Sequence, residues 1–115
     1  MALKSKPAVG LDRLEEAIAR DLELLCYPPK SWVREALAID GRPVSDVIIV
    51  GAGMAGLTLS FALRRQGINR HRLLDRSTAG REGPWATYAR MLTLRSPNHL
   101  TGPAMGVPNL TFRAW

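Results

Sequence analysis

Asp46–Gly67, DVIIVGAGMAGLTLSFALRRQG, joins a short apolar run to an apolar helical pattern through three closely spaced glycines. Val47-Ile48-Ile49-Val50 is β-branched and uniformly apolar, the pattern of a strand buried on both faces of a parallel sheet. A turn is expected at Gly51-Ala52-Gly53, then a helix from Met54 to Gln66, with Gly67 as its left-handed C-cap. Gly51, Gly53 and Gly56 fill the G-x-G-x-x-G pattern. The first permits a tight exit from the strand, the second leaves room for a pyrophosphate beside the backbone, and the third lets helix and sheet pack closely. The anion would rest on unpaired backbone amides from Ala52 through Met54, Ala55 and Gly56, where the helix dipole favours negative charge.

Working outward, a second strand-like run, His71-Arg72-Leu73-Leu74, ends at Asp75, nineteen residues beyond Gly56. A parallel βαβ connection returns Asp75 to the glycine turn, where its carboxylate can accept hydrogen bonds from the hydroxyls of an adenosine ribose. It also disfavours a 2′-phosphorylated ribose in this pocket, because carboxylate and phosphate repel. Arg76 follows as a candidate contact to adenine or phosphate. Strand, glycine turn, helix and acidic strand end together indicate a dinucleotide site in a Rossmann-like α/β fold; a glycine turn serving only close packing is the bland alternative.

The following stretch, Ser77 to Trp85, is too irregular for a helix or central strand, and Gly80, Gly83 and Pro84 describe a loop able to approach a ligand. Trp85 is a candidate ring-shielding residue or simply a core aromatic. Ala86 to Leu94 runs through Tyr88, Arg90, Met91 and Leu92, and Thr101 to Asn109 is a second glycine- and proline-rich connection. His99 has no partner pattern marking it as a base or ligand.

Towards the N-terminus, residues 1–10 read as a flexible lead-in. Leu11, Leu14, Ile18, Leu22 and Leu25 form a stripe at helical spacing, with Asp12, Glu15 and Glu16 near the positive end of the helix. Tyr27-Pro28-Pro29 stops it. Ser31 is a candidate cap for a second short helix whose Trp32, Val33, Ala36 and Leu37 would pack on the first as a helical hairpin. Gly41-Arg42-Pro43 is a linker. The expected division is an N-terminal helical extension and linker over 1–45 and a partial dinucleotide-binding domain over 46–115.

Composition narrows the function. The 115 residues are 46% hydrophobic and 23% charged, within the range of soluble globular chains. The net charge of +6 is uneven: residues 1–40 hold six Lys/Arg against seven Asp/Glu, and residues 41–115 hold ten Arg against three Asp/Glu. The basic residues do not form a compact run interleaved with aromatics, so a solvated or cofactor-facing surface is expected rather than a nucleic-acid interface. Cys26 is the single cysteine, which excludes an intrachain disulfide and favours an intracellular setting. Val47 to Leu63 is uncharged for seventeen residues, but its glycines, Thr58 and Ser60 fit strand, turn and helix better than a membrane span. Cytoplasm is the expected location. Two histidines and one cysteine offer no zinc set, and no nucleophile triad can be assembled.

The joined pattern VIIVGAGMAGLTLSFALRRQG, then LLDR, then REGPWATYARM, resembles the N-terminal FAD-binding region of flavoprotein monooxygenases. The resemblance is to the broad group of flavin-containing, Baeyer-Villiger and N-hydroxylating monooxygenases, and it spans Val47 to Trp115. It implies that Gly51, Gly53 and Gly56 receive FAD pyrophosphate, that Asp75 takes the acidic ribose position, and that Arg76 lies on the adenine side. Gly83-Pro84-Trp85 resembles a flavin-facing Gly-Gly-x-Trp segment in which Glu82 stands for the first glycine. The resemblance further implies NADPH or NADH as reductant, dioxygen as co-substrate and a small-molecule substrate. A second mononucleotide-like half and a substrate domain are not recognisable, and an incomplete chain is expected. An NAD-dependent dehydrogenase and a noncatalytic dinucleotide-binding protein are the alternatives.

Overall fold

The computed structural model describes residues 9–85, 87–89, 91–93, 95–100 and 102–114. Of the expected lead-in over residues 1–10, residues 1–8 lie outside the described residues, as do Ala86, Arg90, Leu94, Thr101 and Trp115, while Val9 and Gly10 belong to a helix, which corrects the expectation there. The chain divides into two compact units, Pro28–Arg95 and the pair of segments Met1–Tyr27 and Ser96–Trp115.

Within Pro28–Arg95, β1 (Val47–Val50) pairs in parallel with β2 (His71–Leu74), and α2 (Met54–Arg65) connects them. Val47 lies opposite His71 and Val50 opposite Leu74, so both strands end at the same edge of the unit. This is the expected α/β Rossmann-like arrangement, present in part as one βαβ unit with an open two-stranded sheet. The expectation that β1 is buried on both faces is corrected. Ile49 is 6% exposed, whereas Ile48 and Val50 are 58% and 85% exposed, because α2 covers one face among the described elements. Strand residues alternate between faces, so covering one face buries every second side chain.

The helix–sheet interface is set by Gly56. A Cβ there would lie 2.9 Å from the Gly51 carbonyl carbon and overlap its oxygen, so α2 approaches β1 only because this residue has none. Ser60, Phe61, Ala62 and Leu63 are half-buried on α2, and Ala55, Leu57 and Leu59 are exposed. The Ser60 hydroxyl meets His71 Nε2 at 2.7 Å, while Nδ1 lies 3.0 Å from the Ile68 carbonyl. A carbonyl only accepts, so in the neutral ring Nδ1 carries the proton and Nε2 accepts from Ser60. Gly67 ends the helix at φ +76°, as expected of a left-handed cap.

Residues 28–46 contain no helix, which corrects the expected helical hairpin. Their groups are committed elsewhere. Trp32 Nε1 donates to the Gln66 carbonyl at 2.6 Å, and the Arg34 carbonyl accepts from Arg70. Leu37 and Pro43 form an antiparallel bridge about a turn in which Gly41 takes φ +79°. Arg70 completes this end of the unit by binding Asp46 at 3.0 Å and Glu35 at 3.4 Å.

In the other unit, α1 (Val9–Leu24) packs on a 3₁₀ turn, Pro108–Leu110. The half-buried side carries Leu14, Ala17, Ile18, Asp21 and Leu22; Leu11 and Leu25, at the ends of the expected stripe, are exposed. Asp21 Oδ2 accepts from the backbone and side-chain nitrogens of Asn109 at 2.8 and 2.9 Å. Val107 is fully buried and Ala104 is 8% exposed. The helix stops before the prolines through a Schellman motif: Tyr27 N–H donates to Leu22 O and Cys26 N–H to Glu23 O, both at 2.9 Å. Cys26 holds φ +54° and is exposed.

Candidate functional site

The shared edge at which β1 and β2 end opens into a cleft of about 660 Å³. Its floor is Val50 and Leu74, the last residues of the two strands, with Gly51 and Gly53 beside them. Asp75, Arg76 and Ser77 form one wall, and Gly83, Pro84, Thr87 and Tyr88 form another. Ligands in open α/β sheets sit in this place, beyond the carboxyl ends of parallel strands.

Three different constraints account for the three glycines. Gly51 has φ +103°, a region that side chains rarely adopt, and its N–H donates to the Leu74 carbonyl at 2.7 Å. Gly56 is required by close packing. Gly53 is neither strained, with φ −74°, nor crowded: a Cβ would rest 3.5 Å from Gly83 Cα, an ordinary contact. Fold geometry therefore does not require glycine at position 53. Gly53 lines the cleft, and the absence of a side chain leaves its backbone open to that space.

Gly53 is also the N-cap of α2 and makes no side-chain cap bond, so the first helical N–H groups have no intrahelical partner. Met54 and Ala55, in that first turn, are exposed, and no acidic residue lies there. A helix N-terminus with these features favours negative charge through its backbone.

Asp75 faces the turn. Its Oδ2 accepts from the Ala52 amide at 2.8 Å and its Oδ1 from the Ser77 amide at 2.7 Å. The second bond closes an Asx-turn at the end of β2. The Ala52 amide, followed by that of Ser77, holds the carboxyl below its usual range against an opposing desolvation, with the Ser77 hydroxyl and Arg76 adding smaller contributions. Each oxygen keeps further acceptor capacity for a ligand hydroxyl.

The structure thus brings Gly51, Gly53, Asp75 and Arg76 together around one cleft and ties Ala52 to Asp75. Gly56 supports the turn from beneath. Trp85 follows the Gly83–Pro84 wall, is 58% exposed, and is not among the residues lining the cleft. Ser77, Thr87 and Tyr88 are the lining residues that sequence reasoning did not single out. Ser77 had a signal, since a residue two positions after Asp is where an Asx-turn closes. Thr87 and Tyr88 had a weaker one. Gly83-Pro84 opens a helical turn in which Thr87, Tyr88 and Ala89 N–H groups all reach the Pro84 carbonyl, at 3.2, 3.1 and 2.9 Å.

Residues 44–99, which contain every element of the cleft, match the family model described as FAD binding domain. The chain is also 47% identical over 107 residues, 93% of its length, to an FAD-dependent urate hydroxylase from Xanthomonas campestris pv. campestris. It spans 22% of that relative's length. No solved structure matches it. The matched segment therefore coincides with the βαβ unit, its glycine turn and the facing Asp75. Among the described residues, no helix is long and apolar enough to cross a membrane, and no group of His, Cys, Asp and Glu could hold a metal ion.

Proposed function

We propose that the chain supplies the site for the ADP half of FAD in an oxidoreductase of the flavoprotein monooxygenase type. The pyrophosphate lies on the amides of Gly53, Met54, Ala55 and Gly56, and the ribose hydroxyls donate to Asp75. Arg76 stands on the adenine side, with Trp85 towards the flavin. The observation that carries this reading is the pairing of an unstrained, uncrowded Gly53 with a preset Asp75 carboxylate across one cleft. The sequence match over residues 44–99 supports FAD among the dinucleotides.

When bound, FAD supplies the redox chemistry, with NADPH or NADH as reductant and a small organic molecule as the compound hydroxylated. This chain's own residues bind and orient the cofactor: the turn neutralises phosphate through dipoles, and Asp75 fixes the ribose. The domain division at residues 45 and 46 and a cytoplasmic location belong to the same proposal. Absorbance of the purified protein, followed by titration with FAD and separately with NAD, tests it. Saturable FAD binding in preference to NAD is expected; a folded protein that takes up NAD and no FAD contradicts it.

A further inference from the structure

We infer that Asp75 has a second role besides ribose recognition, as the residue that holds the glycine turn in its anion-binding shape. This rests on the cofactor reading above and deepens it.

The peptide between Gly51 and Ala52 links β1 to the N-cap of α2. Gly51 sits at φ +103°, and glycine crosses that region with little steric hindrance, so its own torsions do not fix the following peptide plane. On one side the turn is tied by the Gly51 N–H to the Leu74 carbonyl, and on the other α2 begins with Leu57 N–H to the Gly53 carbonyl at 3.0 Å. Between them, the described bond that orients the Gly51–Ala52 peptide is Ala52 N–H to Asp75 Oδ2 at 2.8 Å. Asp75 is anchored in turn by the Ser77 amide on its other oxygen at 2.7 Å. The carboxylate therefore bridges the end of β2 and the turn after β1, and the strand that carries the ribose ligand also sets the pyrophosphate ligand.

The two roles give opposite signs for one substitution. If Asp75 serves the ribose alone, removing its negative charge beside an anion site leaves pyrophosphate binding unchanged or strengthens it. If Asp75 also holds the turn, the same substitution weakens pyrophosphate binding even where the ligand has no ribose hydroxyls. 2′,3′-Dideoxyadenosine diphosphate is such a probe, and adenosine diphosphate is its hydroxylated reference.

The experiment has two arms on wild type, Asp75→Ala and Asp75→Asn, with Asn keeping the volume and one acceptor should Ala prevent folding. In the ligand-free proteins, amide hydrogen exchange is followed by NMR. The Ala52 amide loses its protection in Asp75→Ala and part of it in Asp75→Asn, whose single amide oxygen is a weaker acceptor contested by the Ser77 amide, while the amides of β1 keep theirs; unchanged Ala52 protection in a folded Asp75→Ala protein, or in Asp75→Asn where Ala does not fold, overturns the proposal. By calorimetry, dideoxy-ADP binds Asp75→Ala about tenfold more weakly than wild type, the loss of one charge-assisted hydrogen bond. Equal or tighter binding of dideoxy-ADP by the variant overturns the proposal too. Failure of wild type to bind either nucleotide or FAD sinks the cofactor assignment, and the exchange arm then decides the turn-holding role by itself.

Discussion

The two ends of the βαβ unit use a carboxylate in opposite ways. Where the strands begin, Asp46 faces the guanidinium of Arg70, with side chains 13% and 24% exposed, and Glu35 and the Arg34 carbonyl complete the set. Trp32 and Lys30 crowd Gly67 so closely that a Cβ there would come within 2.9 Å of one and 2.8 Å of the other. Where the strands finish, Asp75 accepts from the backbone amides of Ala52 and Ser77 and Arg76 stands beside it, around a cleft that side chains leave open. Charge met by charge closes one end. Charge met by amides leaves the other with acceptor and donor capacity for a ligand.

Breaking the link between the two ends has the largest expected effect. Gly56→Val forces a side chain into the Gly51 carbonyl and separates α2 from β1, costing about 3 kcal/mol, the upper end for overpacking. Loss of cooperative urea unfolding together with FAD binding is expected; a native-like midpoint would refute the packing role. Next, Arg70→Met at the closed end removes the partner of Asp46, Glu35 and the Arg34 carbonyl. It lowers the urea midpoint and leaves the FAD dissociation constant within about twofold, since distant sites act independently. A drop in FAD affinity as large as the drop in stability would erase the distinction between the ends.

Acid has the smallest expected effect and sharpens the same contrast. The folded state lowers the Asp75 pKa, so its contribution is complete above the ordinary carboxylate value of about 4 and is lost as pH falls through the depressed folded value. Arg70 is shifted the other way, upward, chiefly by its hydrogen bond to Asp46, and it stays charged throughout that range. FAD affinity is expected to be flat from neutrality down to about pH 5 and to fall below about pH 4. Titrations at stepped pH check this, and a midpoint near neutrality would assign the transition to another group.

The open end was the more legible in sequence. Gly51, Gly53, Gly56 and Asp75 are separated by spacings that follow from one turn, one helix and one returning strand, so local pattern was enough to assemble them. The closed end was not legible. Its bonds join Trp32 to Gln66 and Arg34 to Arg70, over 34 and 36 residues, and no periodicity announces them. Trp32, Val33, Ala36 and Leu37 mimic a helical face for that reason: their true partners lie across the unit, and tertiary bonding overrode local spacing. Likewise Asp21 lies within the α1 stripe because Asn109, 88 positions away, supplies its donors. In β1, apolar composition implied two covered faces. It records what each side chain would tolerate, whereas α2 covers only the Ile49 face.

Fluorescence titration of FAD into wild type, Gly53→Ala and Gly53→Val tests the central claim most directly. A Cβ at position 53 makes only an ordinary contact with Gly83, so Gly53→Ala stays close to the wild-type urea midpoint, and the Gly53→Val titration is read on protein whose urea unfolding remains cooperative. Within that folded background, FAD affinity is expected to fall modestly with Ala and by about a hundredfold or more with Val, as the side chain occupies the place of the pyrophosphate. Wild-type FAD affinity in a folded Gly53→Val protein would contradict the assignment of the cleft.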